Sequence, residues 1–402
     1  MSFFKNTERS VFASDPEKSQ GRLIFETPSP TRSEFQRDRD RIIHSAAFRR
    51  LKHKTQVFVH HEGDHYRTRL THTLEVSQIA RALARSLGLD EDLAEALALS
   101  HDLGHTPFGH AGEDALQQCL TTFGGFDHNA QALRIVTRLE RRYAQFDGLN
   151  LTWETLEGLV KHNGPLLTKE GSPTERYQKH GISEIILEMN QKLDFKLNCF
   201  ASAEAQAAAV ADDIAYNAHD LDDGLRAGLF SFDDLKKTSF LAEFLKDIDD
   251  RYPNLENQRR IYELTRRVIT YFVEDIIKEG QQRLDALLGV GANAVREAPY
   301  ETICFSGNGK IAEQEVKQFL YAHMYHHPDV MTERKKAETI VDDLFTQFMK
   351  VPEALPEDWR QGLNKIDQKQ YALHIADYIA GMTDHYAVLE HKRLFDHISE
   401  LR

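Results

Sequence analysis

The helical spacing of apolar residues is the feature of this sequence that most constrains its fold. Downstream of His72, one face of a helix would carry Val76, Ile79, Ala80, Leu83 and Leu87. Gly88 is a typical helix stop, and Asp90 is a favourable N-cap for the next helix. The apolar face of that helix continues to His101, where an unpaired imidazole would be costly. The pattern therefore predicts a buried histidine at a helix end.

The same spacing predicts helices along most of the chain. Helical patterns begin at Arg37 and recur over 202–221, 256–279, 312–326, 335–348 and 370–394. Strand signals are limited to 56–59 and 303–306, and breaks are expected around 164–173, 252–254 and 352–358. Residues 1–30, rich in Ser, Pro, Lys and Glu, predict an irregular N-terminal arm. We therefore predict an all-α fold with at most one or two short β-hairpins.

Composition narrows the class of function. The 402 residues carry 50 basic and 63 acidic side chains, a net charge of −13, which disfavours bulk coating of nucleic acid. The three cysteines lack a CxxC pattern, so they predict reduced thiols. Neither a secretory signal nor a membrane-spanning apolar run is found. We expect a cytoplasmic protein.

Two histidines and two aspartates are candidate metal ligands. His101-Asp102 at the predicted helix end is a weak signal alone, because the chain contains a second such pair, His219-Asp220. Both side chains could reach one ion only at a helix end or cleft, and His72 and Asp212 are the candidates for the remaining ligands. Such a set suits Mn, Fe, Zn or Mg. The alternative is hydrogen-bonded core histidines and solvated carboxylates.

Longer motifs around these residues make the chain recognisable. They are Arg69-Leu70-Thr71-His72, His101-Asp102-Leu103-Gly104-His105-Thr106-Pro107-Phe108-Gly109-His110, Phe126-Asp127-His128-Asn129-Ala130-Gln131 and Asp212-Asp213-Ile214-Ala215-Tyr216. From about Arg37 to about Tyr386, the chain resembles the HD-domain dNTP triphosphohydrolases, and the bacterial dGTPase-like branch most of all. The resemblance implies metal-dependent hydrolysis of dGTP or several dNTPs to a deoxynucleoside and inorganic triphosphate.

The resemblance also implies an organisation and partners. We expect an HD catalytic core over 31–240 and a helical region over 241–402 packed on it. His72, His101, Asp102 and Asp212 would hold a divalent ion (Mn, Mg, Fe or Zn), and Mg would accompany the triphosphate. A homo-oligomer, a tetramer or hexamer, is expected, and a regulatory nucleotide or single-stranded DNA is an open further partner.

By the same resemblance, other residues receive roles in the reaction. The proton-transfer residues are His110, Glu113 and His128, and the substrate contacts are Gln56, Arg69, His105, Tyr216 and Asp220. Four of these residues have a plainer alternative: a helix cap for His128, a solvated face for Glu113, a helix-surface contact for Asp220, and core packing for Tyr216. Arg49 and Arg50 are weaker candidates for the phosphates, and Arg67 is equally well a surface ion-pair partner.

Two other functions remain open. The chain could be another HD phosphohydrolase, such as a nucleotidase or phosphodiesterase, which shares the metal ligands but not necessarily the sugar contacts. It could also be a catalytically silent regulator that binds nucleotide or single-stranded DNA. The products released from each nucleotide distinguish these functions.

Overall fold

The computed structural model describes residues 9–56 and 67–395. Over this part of the chain the α-helices are α1 Glu34–Ile43, α2 Ala46–Arg50, α3 Arg69–Leu87, α4 Glu91–Ser100, α5 His110–Cys119, α6 His128–Arg134, α7 Trp153–Val160, α8 Glu175–Gln178, α9 Glu184–Leu193, α10 Ala203–Ala227, α11 Phe232–Leu235, α12 Ser239–Arg251, α13 Asn257–Asp285, α14 Ala292–Arg296, α15 Gly307–Leu320, α16 Pro328–Lys350, α17 Glu357–Arg360, α18 Gln368–Ala380 and α19 Asp384–Phe395. π-Helical turns extend α6 over Ile135–Leu139 and α15 over Tyr321–Tyr325. Among the described residues, β-pairing is limited to isolated bridges, which confirms the all-α prediction.

The helix end at Gly88 and the N-cap at Asp90, both predicted from the sequence, are present in the structure. Gly88 ends α3 in the left-handed region, with a φ of 69°. The side chain of Asp90 accepts a hydrogen bond from the backbone N–H of Leu93 and so caps α4. His101 follows the last residue of α4 and is 4% exposed.

Two sequence predictions are wrong. The candidate strand at 303–306 is irregular, because the backbone N–H groups of Thr302 and Ile303 both donate to Oε1 of Gln206 rather than to another strand. The helix predicted over 370–394 is two helices, α18 and α19, separated after Ala380. In the candidate strand at 56–59, Gln56 is not in a strand, and residues 57–59 lie outside the described part of the chain.

The core is arranged around α10. This helix packs against α3, α4 and α13, and small side chains such as Ala207, Ala211 and Ala215 line its buried face. Small residues let neighbouring helices approach closely, so α3, α4 and α10 bring their polar residues within reach of one another. Two further apolar clusters lie around α6, α7 and α9 and around α5, α16 and α18. The division at residue 240 stays a prediction, and helices from both sides of it share the core of α10.

The described part of the N-terminal arm is irregular but tightly held. The backbone N–H and hydroxyl of Ser14 both donate to the buried carboxylate of Glu204. Further along, Arg22 forms ion pairs with Glu34 and Asp38 of α1. The arm is therefore fixed by buried polar contacts and not by regular structure. Across residues 9–56 and 67–395, none of the helices has the length and apolar character needed to cross a membrane.

Candidate active site

Three helices bring the four predicted metal ligands into one cluster. His72 lies in the first turn of α3, His101 and Asp102 follow α4, and Asp212 lies on α10. Nε2 of His72 is 3.0 Å from Oδ1 of Asp212 and 3.4 Å from Nε2 of His101. Oδ1 of Asp102 is 3.4 Å from Nε2 of His101. The ligand-type atoms of all four side chains thus face a common point.

The donor set fits a divalent cation. Ligand atoms of His72, His101 and Asp102 lie within 4.8 Å of one another, and these residues are buried. Asp212 completes the set from the open side, with its side chain 27% exposed. Two imidazole nitrogens and two carboxylates match Mn, Fe, Zn or Mg with positions left for oxygen ligands. Buried carboxylates grouped this closely need a positive partner.

Electrostatics keep both carboxylates of this cluster ionised. Burial disfavours the charged form of Asp102, but Arg69, His101 and His105 together outweigh burial and hold the pKa of Asp102 well below its usual range. Burial acts in the same direction on Asp212, and the histidines lower the pKa of that carboxyl. Burial lowers the pKa of His101, whereas Asp212 outweighs burial and raises the pKa of His72. Both carboxylates are therefore charged at neutral pH and available as ligands.

A second group of titratable residues adjoins the first. Nδ1 of His128 lies 2.8 Å from Oε1 of Glu113, and His105 stacks on His128 with ring centroids 4.2 Å apart. His105 also connects the two groups, because its Nε2 is 3.1 Å from Oδ1 of Asp102. His110 begins α5, with its ring centroid 5.7 Å from that of His105. The four predicted residues converge beside the cation site.

The plainer alternatives for the Glu113–His128 pair are wrong. Glu113 is not solvated, since its side chain is 15% exposed and bonded to His128. Asp127, and not His128, provides the side-chain cap of α6. Burial acts to raise the pKa of Glu113, but the charge and hydrogen bond of His128, with His105 and His110, together outweigh burial and lower that pKa. In return, Glu113 outweighs the burial of His128 and raises the pKa of that imidazole.

Arg69 has the contacts of an anion-binding residue. Its Nη1 donates to Oδ2 of Asp102 at 2.9 Å, and the residue is 1% exposed. Its Nε and Nη2 have no hydrogen-bond partner among the described residues. Buried guanidinium nitrogens are rarely left unsatisfied, so a partner with oxygen acceptors is expected beside Asp102.

A cavity of about 760 Å³ opens beside the cluster. Of the predicted residues, Gln56, His110 and Tyr216 line it, together with Tyr325. Tyr216 is therefore at a cavity wall and not only in the core. Asp220 does not line the cavity, and it is fully buried, so the alternative of a solvated helix-surface contact is wrong.

The remaining candidates lie elsewhere. Arg49 and Arg50 line a separate cavity with Trp359, away from the four-ligand cluster. Arg67 forms ion pairs with Glu75, Asp222 and Asp223, as the surface-pair interpretation predicts.

Sequence reasoning missed two histidines that contact the cluster. Nε2 of His162 lies 3.4 Å from Oδ2 of Asp212, and its ring stacks on His101. Nε2 of His219 lies 2.9 Å from Nδ1 of His72. A sequence signal for His219 was available: it lies seven residues after Asp212 on α10, which places both residues on the same face of that helix. His162 follows α7, and no spacing signal marks it.

Comparison with known proteins identifies the family. The family model described as HD domain matches residues 69–217, and the one described as phosphohydrolase-associated domain matches residues 303–393. The deoxyguanosinetriphosphate triphosphohydrolase-like protein of Rhodopseudomonas palustris (strain BisB18) is 57% identical over 98% of each chain. The protein of that name from Brucella ovis is 56% identical over 99% of this chain and 98% of its own. In Mesorhizobium japonicum, a deoxyguanosinetriphosphate triphosphohydrolase-like protein 1 is 57% identical over 98% of this chain and 96% of its own. The chain therefore belongs to the HD-domain deoxyguanosinetriphosphate triphosphohydrolase-like family.

Proposed function

We propose that this protein is a metal-dependent hydrolase that converts deoxynucleoside triphosphates to a deoxynucleoside and inorganic triphosphate. The observation that carries the proposal is the position of Arg69. Its buried guanidinium pairs with Asp102 of the four-ligand cluster, and within the described part of the chain two of its nitrogens have no hydrogen-bond partner. A cation site joined to an unsatisfied guanidinium suits a phosphate group bound between them.

In this proposal His72, His101, Asp102 and Asp212 hold the divalent ion. A bound ion of this kind supplies Lewis-acid polarisation of a phosphate oxygen and makes water more acidic. Arg69 orients the triphosphate by donating to its oxygens, and the buried position of the guanidinium strengthens that contact.

Glu113 and His128 are the proposed proton-transfer pair. The carboxylate of Glu113 fixes the tautomer of His128 and favours its protonated form. A protonated imidazole can donate to the departing 5′-oxygen of the deoxynucleoside, which needs a proton as it leaves. We assign His105 to the phosphates and His110 to the same proton-transfer group, because the ring of His105 stacks on His128 and the ring of His110 lies beside that of His105.

The cavity lined by Gln56 and Tyr216 is the proposed position of the sugar and base. A tyrosine ring packed under the sugar would exclude a ribose 2′-hydroxyl, which accounts for a deoxy preference. Asp220, which the resemblance assigns to the 3′-hydroxyl, is fully buried and accepts a hydrogen bond from Tyr325. Tyr325 lines the cavity, so Asp220 would act on the 3′-hydroxyl through that tyrosine. The family resemblance also supports a homo-oligomer.

The test is product analysis. Purified protein is incubated with each dNTP and each NTP in the presence of Mn²⁺ or Mg²⁺, and the products are separated. Inorganic triphosphate and a deoxynucleoside are expected from one or more dNTPs, with little turnover of NTPs. Orthophosphate or a monophosphate would instead indicate another HD phosphohydrolase. Nucleotide binding without turnover in fully metallated protein would indicate a silent regulator.

A further inference from the structure

The second His-Asp pair of the sequence lies directly behind His72. Nε2 of His219 is 2.9 Å from Nδ1 of His72, and the two rings are nearly perpendicular, at 87°. His219 is 1% exposed. Because Nε2 of His72 faces Asp212 and His101, His219 contacts the ring nitrogen that points away from the cluster.

If His72 binds a cation through Nε2, the hydrogen between Nδ1 of His72 and Nε2 of His219 must belong to His72. A ligating ring nitrogen offers its lone pair, so a neutral His72 that ligates through Nε2 carries its hydrogen on Nδ1. Among residues 9–56 and 67–395, the contact of that Nδ1 is with Nε2 of His219, which must then be an unprotonated acceptor. The hydrogen of a neutral His219 is consequently on its own Nδ1.

The carboxylate of Asp220 lies next to Nδ1 of His219, the atom that would carry this hydrogen. Nδ1 of His219 lies 2.7 Å from Oδ1 of Asp220. The two atoms are not aligned as a hydrogen bond, and neither has a hydrogen-bond partner among the described residues, so Asp220 acts on Nδ1 of His219 through its negative charge. The other carboxylate oxygen, Oδ2, accepts a hydrogen bond from the hydroxyl of Tyr325 in the π-helical turn after α15. A carboxylate at Nδ1 stabilises the tautomer of His219 that leaves its Nε2 free to accept.

We propose that His219 is a positioning residue for cation binding. It accepts the Nδ1 hydrogen of His72 and thereby holds the Nε2 lone pair of His72 toward the ion, while Asp220 holds His219 in the required tautomer. The inference rests on the proposed function, because it takes His72 as a metal ligand. The class of ligand concerned is a divalent cation bound through imidazole.

Asparagine and glutamine at position 219 test this proposal as a matched pair. A glutamine side chain can place its amide oxygen near the position of Nε2, whereas the shorter asparagine reaches only the position of Nδ1. The dissociation constant of Mn²⁺ is measured on the full chain without nucleotide. We expect His219→Asn to weaken Mn²⁺ binding about 10–100-fold and His219→Gln to remain close to the unsubstituted protein.

The Mn²⁺ affinities of the two variants show whether His219 positions His72 or only fills space. Equal Mn²⁺ affinity of the two variants, whether normal or weakened, would overturn the proposal, since a packing role does not distinguish the position of the acceptor. His374→Asn is the matched control, because the side chain of that histidine bonds to the backbone carbonyl of Trp359, packs against the ring of the same residue and lines a separate cavity. Its Mn²⁺ affinity should be unchanged.

A measurement on the unsubstituted protein applies even when a variant does not fold. In Zn²⁺-loaded protein with ¹⁵N-labelled histidine, the ring of His219 should carry its hydrogen on Nδ1. A hydrogen on Nε2 of His219 contradicts the proposal. His72→Ala distinguishes a failure of the proposed metal site from a failure of the proposed role of His219. If it binds Mn²⁺ normally, the metal site of the proposed function fails. If it loses Mn²⁺ while the 219 variants bind alike, only the role of His219 fails.

Discussion

At the scale of single residues, the site depends on buried charges that need a partner. Asp102 is the centre of this arrangement, because Arg69, His101 and His105 all contact its carboxylate. Removing one partner of such a group leaves the others buried and unpaired, which costs several kcal/mol. Substitutions here should therefore affect metal content and turnover together.

The first prediction concerns the helix-end ligands. His101→Ala and Asp102→Ala should each abolish triphosphate release, because each removes one of the four cation ligands. Metal content after dialysis and product formation from dNTPs are the measurements. His374→Ala, remote from the cluster, is the control and should retain both. Near-normal turnover of either ligand variant would contradict the metal assignment.

The second prediction concerns Glu113. Glu113→Ala should slow turnover about 10²–10⁴-fold while metal content stays intact, since the carboxylate acts on His128 and is not in the four-ligand set.

Glu113→Gln adds a pH signature. Glu113 raises the pKa of His128, so its neutralisation lowers that pKa, and activity that needs protonated His128 should be lost at a lower pH. Profiles of kcat against pH for the two proteins measure the displacement. An unchanged profile would show that His128 is not the acid.

At the scale of elements, α6 approaches the turn after α4 closely enough that only glycine fits at position 104. A Cβ on Gly104 would lie 1.9 Å from the backbone oxygen of His128 and 2.4 Å from the backbone nitrogen of Ala132. Both contacts are with backbone, which cannot move without displacing α6. The glycine thus sets the distance between the cation ligands and the Glu113–His128 pair.

The third prediction follows from this contact. Gly104→Ala should lower the free energy of unfolding by about 1–3 kcal/mol and reduce turnover, because α6 must shift with His128. Gly307→Ala is the matched control, since a Cβ at that position meets no atom within 4 Å. Thermal unfolding and rate measurements on both variants check the prediction. Equal behaviour of the two variants would contradict it.

At the scale of the whole molecule, the cation site joins helices that are far apart in the chain. α3, α4 and α10 each contribute to it, and the π-helical turn after α15 reaches Asp220 behind it. A cation bound only by the folded arrangement stabilises every element that supplies a ligand.

The fourth prediction is that metal removal destabilises the entire fold. Chelation should lower the midpoint of thermal unfolding, and Mn²⁺ at 100 times its dissociation constant should restore about 2.7 kcal/mol. Calorimetry with and without metal measures the difference. Asp212→Asn should show a much smaller response to Mn²⁺, and a full response in that variant would place the ion elsewhere.

Local sequence signals were enough to predict the helical class and the helix boundaries around His101, and the motifs named four side chains that the fold brings into one cluster. These follow from local signals, such as the left-handed glycine at 88, the Asp90 cap and ordered motifs. The packing of the helices was needed to show that His162 and His219 contact the cluster, that Arg49 and Arg50 line a separate cavity, and that α18 and α19 are separate. Those contacts depend on how helices distant in sequence pack, and a single segment contains no information on the side chains that another segment brings to it.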